Sequence, residues 1–358
     1  MTKTEFMEKL SAALKARHSV ETADGLLADF REHFDEALRA GQSEEEICGM
    51  LGDPVEIAEE CGAEMPDGSE NDASQDGAGI YINLFDRGLC CEPWDGDGFH
   101  VEVRQNGRVI QDDAVHIIRS EDSFRIEQER EWNFIRHLFH PFKFTKIVCV
   151  KVPRRVSGNI SVKLSSGAAL IGGVSVDGDI RCSLSSGSIK MNNVFAGGSL
   201  DLSAHSGSIK TEGCSGKLSA ECLSGSIRIN GHKGDIVRAA ATSGSVKIGG
   251  GHINITENCC LETKSGSIHI DIDELRADLK LECYSGSVKF SVGELKGNII
   301  GKTRSGSIVG YLNRDTRAVF ILQSSDVSNR FPNAAMPDSS LPVVNLSSRS
   351  GRVALKEL

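Results

Sequence analysis

The sequence predicts an all-β solenoid (a β-helix) of about eight rungs, each roughly 20 residues long, preceded by a small all-α domain. Three observations support this fold class. A Ser-Gly pair recurs at a nearly constant spacing, apolar and polar residues alternate on both sides of each pair, and the N-terminal residues show helical spacing instead. We assign 1–62 to the helical domain, 63–79 to a linker and 80–358 to the solenoid, with capping strands in 80–152, regular rungs in 153–312 and closing strands in 313–358.

The helical domain is acidic and amphipathic. Residues 1–62 carry 15 acidic and 6 basic side chains, while the net charge of the whole chain is −10. Residues 2–16 predict a first helix, and in a second one apolar residues recur every three or four positions: Ala23, Leu27, Phe30, Phe34 and Leu38. Two further helix starts are marked by capping residues, Ser43 with Glu46 and Asp53 with Pro54.

The paired aromatics Phe30 and Phe34 and the stretch "SEEEICGMLGDPVEIAEE" resemble the HAAS domain, a short helical domain found beside PadR-type regulators in bacteria. The resemblance covers the N-terminal 62 residues. It implies a protein-interaction module with Phe30 and Phe34 on its interaction face. The implied partner is a transcriptional regulator or a membrane protein.

The segment 63–79 differs from both neighbours in composition. It carries five acidic side chains, no basic one and almost no large apolar residue. Such a segment buries too little apolar surface to order itself, so we expect a flexible linker.

The repeat defines the solenoid. Eight glycines, each preceded by Ser, follow one another at steps of 18 to 22 residues: Gly167, Gly187, Gly207, Gly225, Gly244, Gly266, Gly286 and Gly306. Each pair predicts a corner between two strands, because Gly adopts positive φ without steric cost and Ser can hydrogen-bond the turn. One more Ser-Gly pair, at Gly351, lies in the closing strands.

Apolar side chains occupy fixed positions around the corner glycine, which predicts the inward face of each strand. Two residues after it stand Ala169, Ile189, Ile209, Ile227, Val246, Ile268, Val288 and Ile308. Four after it stand Ile171, Met191, Thr211, Ile229, Ile248, Ile270, Phe290 and Gly310. Seven before it stand Ile160, Ile180, Leu200, Leu218, Val237, Cys259, Leu279 and Ile299.

From about residue 80 onward the chain resembles the bacterial putative-adhesin family of β-solenoid domains of unknown function. The resemblance is carried by "FRIEQERE", by the strand that enters Val152-Pro153 and by the serial "SGSI" corners. Members with helical N-terminal regions are associated with cell-envelope regulation, so the resemblance implies an interaction protein of that context.

No residue pattern predicts catalysis, a metal site or a cofactor. The recurring Ser residues are periodic, whereas a nucleophile needs a base and an oxyanion hole at one place. Cys182, Cys222, Cys259 and Cys283 fall in inward positions, and the adjacent pairs Cys90–Cys91 and Cys259–Cys260 point to opposite faces of a strand. "WDGDGFH" lacks the later ligands of a calcium loop and predicts a turn between strands.

An outward row of basic side chains is the first candidate binding site. It comprises the residues three after the corner glycine: Lys190, Lys210, Arg228, Lys247, His269 and Lys289. With strands about 4.8 Å apart, the row is expected to run about 24 Å. Two interpretations stay open: a solvated row partly neutralised by neighbours such as Glu212 and Asp271, or a site for an anionic lipid surface, an envelope polymer or the chain's own acidic domain.

A second candidate is "EWNFIRHLFHPFKFTK". Aromatic and basic residues interleave in it, among them Trp132, Phe134, Arg136, Phe139, Phe142, Lys143 and Phe144. This mixture is typical of a membrane interface or a partner groove. The alternative is a hairpin that covers the first rung as an apolar cap.

Together these observations predict a non-enzymatic binding or scaffold protein of cell-envelope regulation or stress response. No signal-peptide-like or membrane-spanning stretch is recognisable, and the 11 Cys lack a disulfide framework, which indicates the cytoplasm or the inner face of the membrane. Nucleic acid is not an expected partner, because the chain is acidic. The rival hypothesis is a polysaccharide-active β-helix enzyme. The outward acids Asp201, Glu221, Glu262 and Glu282 do not form, in the sequence, a cluster on consecutive rungs with a matching Arg or His.

Overall fold

The computed structural model describes residues 1–16, 20–39, 41, 43–51, 53–55, 58, 79–96, 98–120, 123–129, 146–250, 253–332 and 341–358. The chain forms two compact units. Helices lie in the N-terminal unit, and the second unit comprises Gly77–Gln128 with Thr145–Leu358. The linker up to residue 78 and the aromatic segment 132–144 lie outside the described residues.

The helical unit contains α1 (Lys3–Lys15), α2 (Val20–Arg39) and α3 (Glu44–Leu51). The predicted capping box before α3 is confirmed. Glu46 donates its amide to the Ser43 hydroxyl at 3.3 Å, and Ser43 donates its amide to the Glu46 carboxylate at 2.9 Å. An equivalent box of Thr2 and Glu5 starts α1. These caps satisfy amides that have no partner inside the helix.

The core of the helical unit is aromatic. Phe6 of α1 and Phe34 of α2 have ring centroids 6.1 Å apart, and Phe30 and Ile47 are fully buried beside them. The expectation that Phe30 and Phe34 form an interaction face is therefore wrong. Their apolar rings pack inside the unit because burial there removes the most apolar surface from water.

In its described residues, the solenoid unit contains two long, mainly parallel sheets of 15 strands each. Sheet 1 contains β1 (Gly79–Leu84), β5 (Val115–Arg119), β6 (Ser123–Gln128), β8 (Arg155–Val156), β9 (Asn159–Leu164), β11 (Ser175–Val176), β12 (Ile180–Ser186), β14 (Phe195–Ser206), β16 (Ser215–Ser224), β18 (Ile236–Ser243), β21 (Cys259–Ser265), β23 (Leu279–Ser285), β25 (Ile299–Ser305), β27 (Val319–Gln323) and β29 (Val343–Ser350).

Sheet 2 contains β2 (Gly88–Trp94), β3 (His100–Gln105), β4 (Arg108–Ile110), β7 (Lys146–Pro153), β10 (Ala168–Gly172), β13 (Ser188–Asn192), β15 (Ile209–Glu212), β17 (Ile227–Asn230), β19 (Val246–Gly249), β20 (Asn254–Ile255), β22 (Ile268–Leu275), β24 (Val288–Leu295), β26 (Ile308–Leu312), β28 (Asp326–Asn329) and β30 (Arg352–Glu357). Each regular rung runs from a strand of sheet 1 through the Ser-Gly corner into a strand of sheet 2. The predicted solenoid is thus confirmed, with about nine turns.

One continuous core lies between the sheets, and the predicted inward positions fill it. The position two after the glycine is buried in every regular rung, and Cys182, Cys222, Cys259 and Cys283 are buried as well. Val237 is the exception. The register between β16 and β18 shifts after Leu218, so Ile236 takes the inward place and Val237 is only half-buried. A β-bulge, which adds one residue to a strand, explains this correction.

The corner glycines meet two requirements at once. Their φ angles run from 112° at Gly167 to 148° at Gly351, a region that L side chains rarely adopt. A Cβ atom added at Gly266 would also lie much closer to the Gly244 carbonyl oxygen one rung below than van der Waals contact allows. The corners are linked by hydrogen bonds such as the one from the Gly207 amide to the Ser224 carbonyl, 2.8 Å. The repeat therefore needs Gly for stacking as well as for turning.

Asn and Asp side chains also link successive rungs, near the points where the chain enters sheet 1. The Asp179 amide donates to the Asn159 side-chain oxygen at 2.8 Å, and the Ser199 amide donates to the Asp179 carboxylate at 2.7 Å. Near the other end, Asn298 accepts from the Val343 amide at 2.8 Å. These side chains accept hydrogen bonds from backbone amides at or near the points where strand pairing begins, so those amides have a partner.

Stack order departs from chain order at both ends. Strands β29 and β30 lie between β25–β26 and β27–β28, although they follow both in the chain. At the other end β1 lies between β9 and β6, and β2 lies between β10 and β7. Beyond these, antiparallel β5 pairs with β6 and the β3–β4 hairpin pairs with β7. The last strands of the chain are therefore flanked on both sides.

We expect Ile227→Asp to leave the solenoid insoluble or sensitive to protease. Ile227 is fully buried between equivalent residues on both neighbouring rungs, and an unpaired buried charge costs on the order of 3–5 kcal/mol. Arg228→Asp is the matched control, since the next residue of the strand faces outward and is exposed. An Ile227→Asp protein with an unchanged thermal unfolding midpoint would contradict the register described here.

We expect Gly266→Ala to lower the free energy of unfolding by at least about 1–3 kcal/mol, because it combines an unfavourable φ with a backbone clash. Gly172→Ala is the control. Its added Cβ has Asn192 O as its nearest neighbour at 3.7 Å, so the change should stay within about 0.5 kcal/mol. Equal denaturant midpoints for the two variants would show that the corner does not restrain the stack.

Candidate functional site

The residues of the basic row predicted from the repeat lie next to one another in the structure. Lys190, Lys210, Arg228, Lys247, His269 and Lys289 occupy directly opposite positions on six adjacent strands, β13, β15, β17, β19, β22 and β24. Their side chains point away from the core, and only Lys210 and His269 are half-buried. At about 4.8 Å per strand the row extends about 24 Å.

Few nearby groups neutralise this charge. The Lys210 ammonium lies 3.4 Å from the Glu212 carboxylate, and the Lys289 ammonium lies 5.2 Å from the ring centroid of Tyr311. Lys190, Arg228 and Lys247 have no ion-pair partner among the described residues. Like charges directly across parallel strands repel one another, so the row costs stability in the absence of an anion.

A row of Ser residues lies beside the basic row, immediately after the corner glycines. The Ser245 amide donates to the Ser226 hydroxyl at 3.3 Å, and the Ser267 amide donates to the Ser245 hydroxyl at 3.2 Å. These hydroxyls are thus used in the stack. The resulting surface is an extended polar sheet face that presents cations at regular intervals.

The pKa of His269 depends on the charge of its neighbours in the row. Burial lowers the pKa of the His269 imidazole below its usual value, and the ammonium groups of Lys289 and Lys247 on the adjacent strands lower it further. The Asp271 carboxylate opposes them. His269 is therefore kept neutral at physiological pH, and the permanent charge comes from the Lys and Arg side chains.

The carboxylates on the outer face of sheet 1 correct an expectation from the sequence. Arg238 donates to Glu221 at 2.7 Å and to Glu262 at 3.1 Å, and Glu262 lies directly opposite Glu282 on the next strand. Acids and a matching Arg therefore do cluster there. The spacing of residues in the sequence did not predict this cluster, because the bulge before Arg238 changes the register of its strand.

The remaining candidates have structural roles. Cys91 and Cys259 are buried whereas Cys90 and Cys260 are half-buried, as alternation along a strand predicts. Asp95, in the turn between β2 and β3, pairs with Arg154 at 2.7 Å, while Asp97 lies outside the described residues. Within the described part of the chain, no group of three or more His, Cys, Asp or Glu is placed to hold a metal ion.

Comparison with known families agrees with this architecture. The model of the Toastrack DUF4097 family matches residues 82–317, more than half of the chain. The chain belongs to the Toastrack DUF4097 family. Residues 5–60 match the HAAS family, which confirms the resemblance of the helical domain. Both matches agree with the two resemblances seen in the sequence.

A solved crystal structure similar to this Toastrack chain is that of a "putative cell adhesion protein" from Clostridium sporogenes. It shares 9% sequence identity, with 79% of this chain and 94% of that chain covered and a TM-score of 0.17. No curated protein sequence matches the chain. Among the described residues, no helix is both long and apolar enough to cross a membrane.

We expect Lys247→Gln and Lys289→Gln each to raise the pKa of His269, because each removes a positive charge beside the imidazole. Asp271→Asn should lower it. The measurement is an NMR titration of the His269 ring signals. Because the folded-state pKa lies below the unfolded value, His269 contributes stability above the unfolded pKa that is lost as the pH falls. A His269 pKa unaffected by the three substitutions would contradict the packing of the row.

Proposed function

We propose that this Toastrack protein is a non-enzymatic binding scaffold whose basic row binds an anionic lipid surface or an anionic envelope polymer. The observation that carries the proposal is the in-register row of cations on adjacent strands. A rigid stack fixes their spacing, so a partner with many charges meets all of them at once. Each exposed contact is weak and screened by salt, and the affinity comes from their number.

The helical domain supplies a second binding function in this proposal, a protein partner such as a transcriptional regulator or a membrane protein. Phe30 and Phe34 lie in the core, so other residues of the helical unit have to contact this partner. Glu44 and Glu45 at the start of α3 are exposed, so a basic surface on the partner would complement them. A protein that binds both partners would act in the cytoplasm at the inner face of the membrane, in envelope regulation or stress response.

The polysaccharide-active enzyme is the second candidate function, and the carboxylates of Glu262 and Glu282 on adjacent strands of sheet 1 favour it. Glycoside hydrolysis needs one carboxyl group that holds a proton. Arg238 pairs with Glu262, and Lys280 pairs with Glu282 at 3.1 Å, so both carboxylates are engaged in ion pairs, which supports binding over hydrolysis. New reducing ends after incubation with acidic polysaccharides, absent with Glu262→Gln, would restore the enzyme hypothesis.

We expect the full chain to sediment with vesicles that contain phosphatidylglycerol and much less with phosphatidylcholine vesicles. Replacing Lys190, Lys210, Arg228, Lys247 and Lys289 by Gln should reduce that binding at least tenfold at low salt, because the surface charge of the row is lost. In the unchanged chain, binding should weaken steadily as ionic strength rises. Arg314→Gln with Arg317→Gln is a control for unspecific charge, since both are exposed outside the row.

The chain's own acidic helical domain is the alternative ligand of the basic row, and a separate experiment tests it. If it competes for the row, residues 80–358 alone should bind the vesicles more tightly than the full chain at low salt, and the substituted row should abolish that difference. Salt-insensitive binding that is equal in all proteins would leave the row as a solvated face and contradict the proposal.

A further inference from the structure

The outer face of sheet 1 carries a groove that the basic row on sheet 2 does not involve. It has a volume of about 1300 Å³ and runs along the stack from Leu184 on β12 to Ser324 after β27. Nine adjacent strands contribute to it, which gives a length of about 38 Å at the usual strand spacing. Two rows of outward side chains form its walls, namely the residues four positions and two positions before each corner glycine. The residues three positions before the glycine form its floor.

The acidic side chains of this groove are already paired. Arg238 holds Glu221 and Glu262, and Lys280 holds Glu282. Four cations that line the groove have no ion-pair partner among the described residues: Lys264, Lys302, Arg304 and Arg349. Three of them lie on the neighbouring strands β25 and β29. The groove therefore has a cationic half near the last rungs.

Arg304 in this half is held in place by an aromatic ring. Its guanidinium lies 4.7 Å from the ring centroid of Tyr284, which is 54% exposed on the preceding strand. Stacking on a ring face restricts the plane of a guanidinium. The Nη1 group of Arg304 also donates to the Tyr284 hydroxyl, which leaves the Nε and Nη2 groups for a ligand. The Nε and Nη2 groups of a guanidinium can together donate two parallel hydrogen bonds to a carboxylate or phosphate. Arg349 occupies the equivalent position on the next strand.

The other polymers that could enter a long groove fit it less well. A peptide cannot add as a strand, because the sheet amides beneath are already used between rungs. A single-stranded nucleic acid needs successive aromatic platforms, whereas Tyr284 is one ring and its face is covered by Arg304. A bilayer surface is flat and does not follow a channel between two rows of side chains.

The hydrogen-bonding groups of a carbohydrate chain match those of the groove. Its hydroxyls both donate and accept, and the walls supply carboxylate acceptors at Glu262 and Glu282, Lys and Arg donors, and hydroxyls such as that of Ser203, which donates to Ser183 at 2.9 Å. The unpaired cations require acid groups on that chain. We propose that the groove on sheet 1 binds a linear acidic glycan, with Lys302, Arg304 and Arg349 taking its carboxylate or phosphate groups.

The test uses polygalacturonate, a linear glycan with one carboxylate per sugar, and isothermal titration calorimetry of the full chain. We expect Arg304→Gln with Arg349→Gln to weaken the Kd at least tenfold, and Lys302→Glu to weaken it as well. Arg314→Gln with Arg317→Gln removes the same charge outside the groove and should leave the Kd within about twofold. Thermal unfolding of each variant reports whether its fold is intact.

Three comparisons decide between occupants. Methyl-esterified polygalacturonate keeps the sugar chain without its charge, and equal affinity for it would overturn the role given to the cations. Polyglutamate keeps the charge without the sugar, and equal affinity for it would overturn glycan recognition. If the substituted basic row abolishes polygalacturonate binding while Arg304→Gln with Arg349→Gln does not, the ligand belongs on sheet 2 and the groove proposal fails on its own.

Discussion

The close stacking of corner glycines is the constraint on which the rest of this solenoid depends. From Gly187 onward, each corner brings the Cα of one Gly against the carbonyl oxygen of the corner Gly below it, so a side chain does not fit there. The contact fixes both the turn and the vertical alignment of consecutive rungs. Because every rung is aligned at the same point, residues at the same distance from the glycine are forced into straight rows.

Those rows give the surface its properties. An inward position repeated in the sequence becomes a continuous strip of core, and an outward position becomes a strip of like side chains across many strands. The basic row on sheet 2 and the cationic half of the groove on sheet 1 arise in this way from short motifs in the repeat. A stack with slipped rungs would scatter the same charges, so binding here is a property of alignment as much as of composition.

The alternating pattern was sufficient to predict the solenoid, its inward positions except Val237, and the basic row, because these depend on local period and on Gly alone. Three features depend on contacts that periodicity does not encode. The bulge at Val237 moves Arg238 between Glu221 and Glu262, and Phe30 and Phe34 are placed in the core of the helical unit by packing against Phe6. The third feature is the order of the end rungs, of which the sequence does contain an indication. Gly351 belongs to the strand pair that stacks on Gly306, and the "QSSD" corner of the outermost rung lacks Gly.

The exchanged order of the final rungs has a consequence for biosynthesis. Regular rungs can be added to the stack one by one as they leave the ribosome, since each pairs with a segment already made. The β27–β28 rung cannot take its final place at that moment, because β29–β30 has to lie beneath it and is synthesised later. Closure of this end is therefore delayed until residue 357 has emerged, and until then the β25–β26 edge needs protection from pairing with another nascent chain.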